Sequence, residues 1–178
     1  MPERAFAGRG RLALVSAPAG ILDPQVAPAA RAWVAAGVQV VAVGDVPAAA
    51  AALAVQPPGS VTHLRLLGHG GPGTLALGLG TLHLRRHFLR AATAGHLFTP
   101  AAVAALAPAA RVDLIGCNVG ASAAGLVDPA EPLRFDGEAL RAAVAACCPG
   151  RDVRATLTWV HQAQAADPPL SPPRPTGG

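Results

Sequence analysis

The chain has 178 residues and contains no lysine and no tyrosine. Its fourteen basic residues, all arginine, and its ten acids make up only 13% of the chain, about half the share an ordinary soluble domain carries. Stacking platforms are scarce, with four Phe and two Trp. The net charge of +4 and pI near 10.2 would suit nucleic acid, but only Arg85, Arg86 and Arg90 cluster and no aromatic motif interleaves them. No nucleic-acid partner is therefore expected. Three cysteines, an odd number, build no disulfide framework and fit a reducing, cytoplasmic compartment. Long apolar runs are missing too: the longest, VPAAAAALAV at 46–55, is too short to cross a bilayer, which argues against membrane insertion. The apolar stretch at 12–15 is too short for a secretory signal.

Alanine is abundant, 42 residues, and inflates the hydrophobic share of 52%. Leu, Ile, Val and Phe still number 44, a quarter of the chain and above the roughly 20% below which chains tend to stay unfolded. One domain is expected, over residues 11–162. Residues 1–10 and the proline-rich 163–178 read as disordered ends.

Short apolar runs ended by glycine or proline mark strands at 12–16, 38–43, 61–67 and 112–116, with a further strand at 153–160. Between them, Asp23-Pro24, Gly44-Asp45 with Pro47, and Thr99-Pro100 open helices, and 132–148 holds an amphipathic one. TLALGLGTLHL, after the glycines at 68–73, alternates with period two and reads as a small added β-hairpin. Strands alternating with helices predict an α/β fold, a mostly parallel sheet covered on both faces. Ligands and chemistry then collect at the carboxyl ends of the strands.

Two strand ends carry reactive groups: His69 with Gly70 after the third strand, and Cys117 after the fourth. On adjacent parallel strands these ends lie about 5 Å apart, so an imidazole and a thiol can face each other. A cysteine nucleophile needs its thiolate, and a helix starting beyond Asn118 would favour it with its positive end.

The stretch LRLLGHGGPGTLALG followed by VDLIGCNVGASAAG resembles an uncharacterised bacterial family with a caspase-like fold. In that family His-Gly-x-Pro-Gly-x-Leu-x-Leu-Gly precedes Gly-Cys-Asn-Val. More distantly it resembles the His/Cys-dyad peptidases, among them caspases, metacaspases, clostripain, gingipain, legumain and separase. The spacing of 48 residues from His69 to Cys117 is near the caspase interval. The resemblance implies a caspase-like three-layer α/β/α sandwich and a cysteine endopeptidase acting on peptide or protein substrates without metal or organic cofactor. Cys117 would be the nucleophile and His69 the general acid and base, with the backbone N–H groups of Gly70 and Cys117 as oxyanion hole. The match covers about residues 61–125. It departs from caspases at Ile115-Gly116, where they carry Gln-Ala, and from metacaspases at Ile115, where they carry an acid that reads a basic P1 side chain.

Each of these residues also has a plainer reading. Cys117 can be a small buried hydrophobe ending a strand, and His69 a hydrogen-bonding residue in a glycine turn. Asp23 either lines the substrate pocket and attracts a basic P1 residue or caps the helix it precedes. Trp159 is a pocket wall or a core residue. Cys147 and Cys148 read as packing thiols, and His83 with His87 make no convincing metal pair. Two other functions compete with the peptidase: a caspase-like binding or scaffolding module without turnover, and a nucleotide-binding α/β module using the glycines at 68–73.

Overall fold

The first apolar run forms strand β1, Arg11–Ser16, buried from Leu12 onward. Helix α1, Ala27–Ala35, follows, and Gly37, at φ 74°, turns the chain into β2, Gln39–Val43. Asp45 caps α2, Val46–Ala54, by accepting the Ala48 N–H at 2.8 Å, with Pro47 in the first turn where no N–H is needed. Strand β3, Val61–Leu67, leads into a small antiparallel sheet of β4, His69–Gly71, β5, Thr74–Ala76, and β6, Phe88–Leu89. Two short helices, α3, Ala94–Leu97, and α4, Pro100–Ala105, precede β7, Leu106–Ile115. Asp136 caps α5, Gly137–Cys147, through the Glu138 and Ala139 N–H groups, and β8 is Asp152–Ala155. This computed structural model describes residues 10–78, 85–123, 125–126, 128–158, 160 and 165–172.

β2-β1-β3-β7-β8 form one five-stranded sheet, parallel throughout. The chain leaves β1 sideways to β2 over one face through α1. It then returns past β1 to β3 and onward to β8 over the other face. The reversal between β1 and β3 is the topological switch point, where strand ends diverge and leave a crevice.

The two faces are covered unequally. Leu12, Leu14, Leu64, Leu66, Val112 and Leu114 are buried under α2, α4 and α5. The opposite face buries Ala13, Val15, Leu67 and Ile115 against Val26, Ala29, Ala30 and Trp33 of the α1 region and against Ala165. Alternation puts His63, Arg65, Arg111 and Asp113 on that same face, as a charged strip beside the α1 packing. Arg65 stacks its guanidinium 5.2 Å from the Trp33 ring centroid.

Four sequence expectations change. The helix expected from Asp23-Pro24 begins at Ala27, and Asp23 instead heads the turn before it. β7 starts at Leu106 and not at 112. It accommodates Pro108, which has no N–H to donate, where its register with β3 shifts between Val61 and His63. The hairpin expected at 74–84 has its described turn earlier, at Pro72-Gly73, so that His69 itself belongs to the first arm. Its expected second half, 79–84, lies outside the described residues. Within the presumed tail from 163, residues 165–172 pack on the domain: Ser171 donates its N–H to Ala155 O at 2.8 Å, and Arg141 reaches Pro172 O at 3.0 Å. Among the described residues no helix is long and apolar enough to cross a membrane.

Candidate functional site

Leu67 pairs with Ile115 in the last rung of the β3–β7 ladder, and the Gly68 N–H still reaches Ile115 O at 3.1 Å. Beyond that rung the chains carry Gly68-His69-Gly70 and Gly116-Cys117, so both motifs emerge side by side at the switch-point end of the sheet. Gly70 is essential to their approach. A Cβ there would lie 2.6 Å from both the N and the O of Cys117 and 2.6 Å from Val119 Cγ2, closer than real carbon contacts allow. The two expected oxyanion-hole residues therefore abut through their backbones.

The turn carrying Cys117 is fixed from β8 and its continuation. Buried Thr156 accepts the Gly116 N–H at 3.3 Å through Oγ1 and donates the hydroxyl to Gly116 O. Its carbonyl accepts the Gly120 N–H at 2.8 Å, and Thr158 O accepts the Asn118 N–H at 2.9 Å. Asn118 has φ 57°, a left-handed conformation that asparagine tolerates better than other side-chain-bearing residues. No helix follows Cys117 directly; a turn does, and the next helix is α5 at Gly137. The expected helix N-terminus beside the thiol is thus corrected.

His69 places its Nε2 2.8 Å from Asp23 Oδ2, and Asp23 Oδ1 accepts the Gln25 N–H at 2.8 Å. Burial raises the Asp23 carboxyl, but the Gln25 N–H and the His69 bond outweigh it and hold the carboxyl below its ordinary value of 3.8. Asp23 is therefore an anion at neutral pH. An anionic acceptor at Nε2 keeps a hydrogen on that nitrogen and turns Nδ1 away from Asp23. The imidazole is about half exposed and the carboxylate is mostly covered.

Cys117 and His69 line one cleft of about 50 Å³ that also touches Leu67, Gly68 and Gly116 on the sheet, with Gln25, Val26, Val160 and Ala165 around it. The half-buried thiol donates to Val160 O at 3.8 Å. Three carboxyl-end loops, after β1, β3 and β7, thus meet at one place. The arrangement brings a thiol and an imidazole to one cleft, with a carboxylate on the imidazole's Nε2.

Of the sequence-designated residues, His69, Gly70 and Cys117 come together. Asp23 joins them as the partner of His69, outside the cleft lining, and Trp159 lies outside the described residues, as does His83. Cys147 and Cys148 end α5, away from the cleft, with burial pushing the Cys147 thiol up and the Cys148 thiol up to about 12. Among the described residues no group of three or more His, Cys, Asp or Glu gathers as metal ligands. Sequence reasoning missed Thr156 and Val26. One threonine near a strand end and one valine before a helix have no distinguishing pattern; only the fold brings them to Cys117. Comparison with protein-family models, curated proteins and solved structures finds no match.

Proposed function

We propose that the protein is a cysteine endopeptidase of the caspase-like kind. The observation that carries this reading is that Cys117 and His69, on the ends of adjacent strands, line one cleft while Asp23 holds the His69 ring by Nε2. The motif resemblance to caspase-like proteins and the three unpaired cysteines, suited to a reducing cytoplasm, agree with it.

In the reaction, His69 Nδ1 takes the Cys117 proton and the thiolate attacks the scissile carbonyl carbon. The backbone N–H groups of Gly70 and Cys117 receive the resulting oxyanion; fixed donors need no reorganisation at that moment. Collapse breaks the C–N bond as the imidazolium returns its proton to the leaving amine, leaving a thioester on Cys117. Water then attacks the thioester, His69 takes a water proton, and the carboxylic product departs as the proton returns to sulfur. Throughout, Asp23 is a positioning residue that keeps the reactive tautomer and stabilises the imidazolium.

The test is the rate of alkylation of each cysteine by iodoacetamide, mapped by mass spectrometry, in the wild type, His69→Ala and the Cys147→Ala/Cys148→Ala double variant. Fast labelling of Cys117 at neutral pH that is lost with His69 supports the peptidase. Labelling of Cys117 only on unfolding, unaffected by His69→Ala, overturns it and favours the binding module.

A further inference from the structure

The two edges of the five-stranded sheet are finished differently. At β8 the chain covers its own edge: Ser171 donates its N–H to Ala155 O at 2.8 Å, Ser171 Oγ accepts the Ala155 N–H at 3.1 Å, and Leu170 bridges Thr156. Asp152 and Arg154 add charge along that strand. At β2 none of the described residues pairs beyond the strand. No charge stands from residue 32 to residue 44, between Arg31 and Asp45, and β2 has neither a proline nor a break in its register with β1. Charges, prolines and bulges are the devices that ordinarily keep an edge strand from pairing, and β2 lacks all three.

The backbone of β2 sets how it can pair. Val43 O accepts the Ala17 N–H at 2.8 Å, so the N–H and C=O of Val43, and by alternation those of Val41 and Gln39, point toward β1. Those of Val40 and Ala42 point outward, two donors and two acceptors in a row. Ala42 is exposed and Val40 half-buried, while the Val38 N–H is already taken by Trp33 O at 2.9 Å. An antiparallel strand of the same sequence, with Val41 opposite Val41, sets Val40 against Ala42 and Ala42 against Val40. Each such pair exchanges both of its bonds, so four hydrogen bonds satisfy every outward group on both strands.

Side chains fit the same register. Val41 packs on the α2 side of the sheet and Val40 on the α1 side, so each meets its counterpart on its own face. No charge is buried by this pairing, whereas a charged partner strand would lose water against valines with no counter-ion from 32 to 44. Val34 in α1 and Val55 at the end of α2, 60% and 78% exposed, add apolar surface to the two helices that pack on β2. The strand is thus its own complement, and a two-fold axis closes the assembly.

We infer that two copies of this chain pair through β2, antiparallel about Val41, and double the five-stranded sheet into one. The axis stands perpendicular to the sheet, so the two clefts open at opposite ends of the dimer. No residue of β2 lines either cleft.

Sedimentation velocity of the full chain, on the order of 1 to 100 µM, and amide hydrogen exchange read by NMR test this. The mass is expected to rise from 17.7 kDa toward twice that value with concentration, and exchange at the Val40 and Ala42 amides to slow in step. Ala42→Pro removes an N–H that β1 does not use, so the strand persists, two of the four bonds are lost and the dimer weakens at least about tenfold. Ala42→Lys, at an exposed position, sets an ammonium against Val40 of the other copy and should weaken it likewise. Both variants should keep the wild-type melting temperature and the wild-type rate of Cys117 labelling by iodoacetamide. A chain that stays at 17.7 kDa throughout overturns the inference, and slow exchange at Val40 and Ala42 in that monomer gives the edge to another segment of the same chain. A dimer indifferent to both variants, or one whose Val40 and Ala42 amides exchange freely, has its interface elsewhere and overturns it as well. Assemblies that grow past two copies exclude the closed two-fold pairing.

Discussion

At the scale of single residues, the site depends on two contacts that leave no slack. Asp23 fixes the His69 ring through one 2.8 Å bond, so Asp23→Asn should keep the fold yet replace the anionic acceptor at Nε2 by a neutral amide that can turn its NH2 toward the ring. We expect Cys117 labelling by a peptidyl ketone to slow by roughly 10²–10⁴-fold, the range over which a positioned acid–base group contributes, with partial recovery in Asp23→Glu. The ¹⁵N spectrum of His69 should change at Nε2 in Asp23→Asn and recover in Asp23→Glu. A purely structural Asp23 would move the melting temperature and leave that spectrum alone. The second contact is Gly70 against the Cys117 backbone. Gly70→Ala inserts a methyl 2.6 Å from two backbone atoms of Cys117, neither of which can rotate away. The variant should lose about 1–3 kcal/mol of stability by overpacking and lose labelling selectivity at Cys117, measured by urea denaturation and peptide mapping.

Elements, not isolated residues, hold the Cys117 turn. The run from β7 through Gly116 to Gly120 is tied to the strand-end segment 156–158 by the hydroxyl and carbonyl of Thr156 and the carbonyl of Thr158. Thr156→Val keeps the shape of the side chain, removes both hydroxyl bonds and leaves the buried Gly116 groups without them. The expected cost is about 1–3 kcal/mol in urea denaturation, together with slower labelling of Cys117. A change in stability with an unaltered labelling rate would show that the turn holds its geometry without Thr156. This element scale is also where the sequence was most and least legible. The four principal parallel strands and the capped starts of α2 and α4 could be read because burial, glycine stops and Asp or Thr caps are local signals. That His69 and Cys117 come to one cleft was legible because each directly follows an apolar run and such runs pair as neighbouring parallel strands. The extension of β7 back through Pro108 was not, since proline argues against a strand and only a register shift excuses it. Nor was the Asp23–His69 bond, which links the ends of β1 and β3 across 46 residues and depends on their being neighbours. The same Asp-Pro pair suits a helix start, so local chemistry pointed to the commoner use. Val26 and Val160 carry no pattern at all.

For the molecule as a whole, the unequal covering of the sheet determines how stability follows pH. Asp113 is 1% exposed in the middle of the charged strip, with His63 Nε2 2.7 Å from Oδ2 and Arg111 Nε donating at 2.7 Å to Oδ1. Burial alone would raise its carboxyl, but the bonds to His63 and Arg111 prevail and keep it below the ordinary 3.8. A carboxyl lowered by folding contributes stability that is complete above its unfolded value and disappears as pH falls through the folded one. The domain should therefore hold its stability down to about pH 4 and lose it steeply below. His63→Ala takes away one of the two partners and leaves a buried carboxylate oxygen poorly satisfied, so at pH 7 it should cost about 1–3 kcal/mol. That deficit should shrink as pH drops below 3.8, because protonation of Asp113 removes the interaction from the wild type as well. Urea denaturation of both proteins from pH 7 to pH 2 reads the two curves converging. Parallel curves would mean that the strip is held by packing and that Asp113 gains nothing from His63. On the alkaline side the sign reverses. Burial raises the Cys148 thiol from 9.0 to about 12, so its contribution is complete below the lower value and fades as pH climbs toward the higher. Asp113 in the charged strip thus shares the acid limit with Asp23 and Asp136, and the α5 end contributes to the alkaline one.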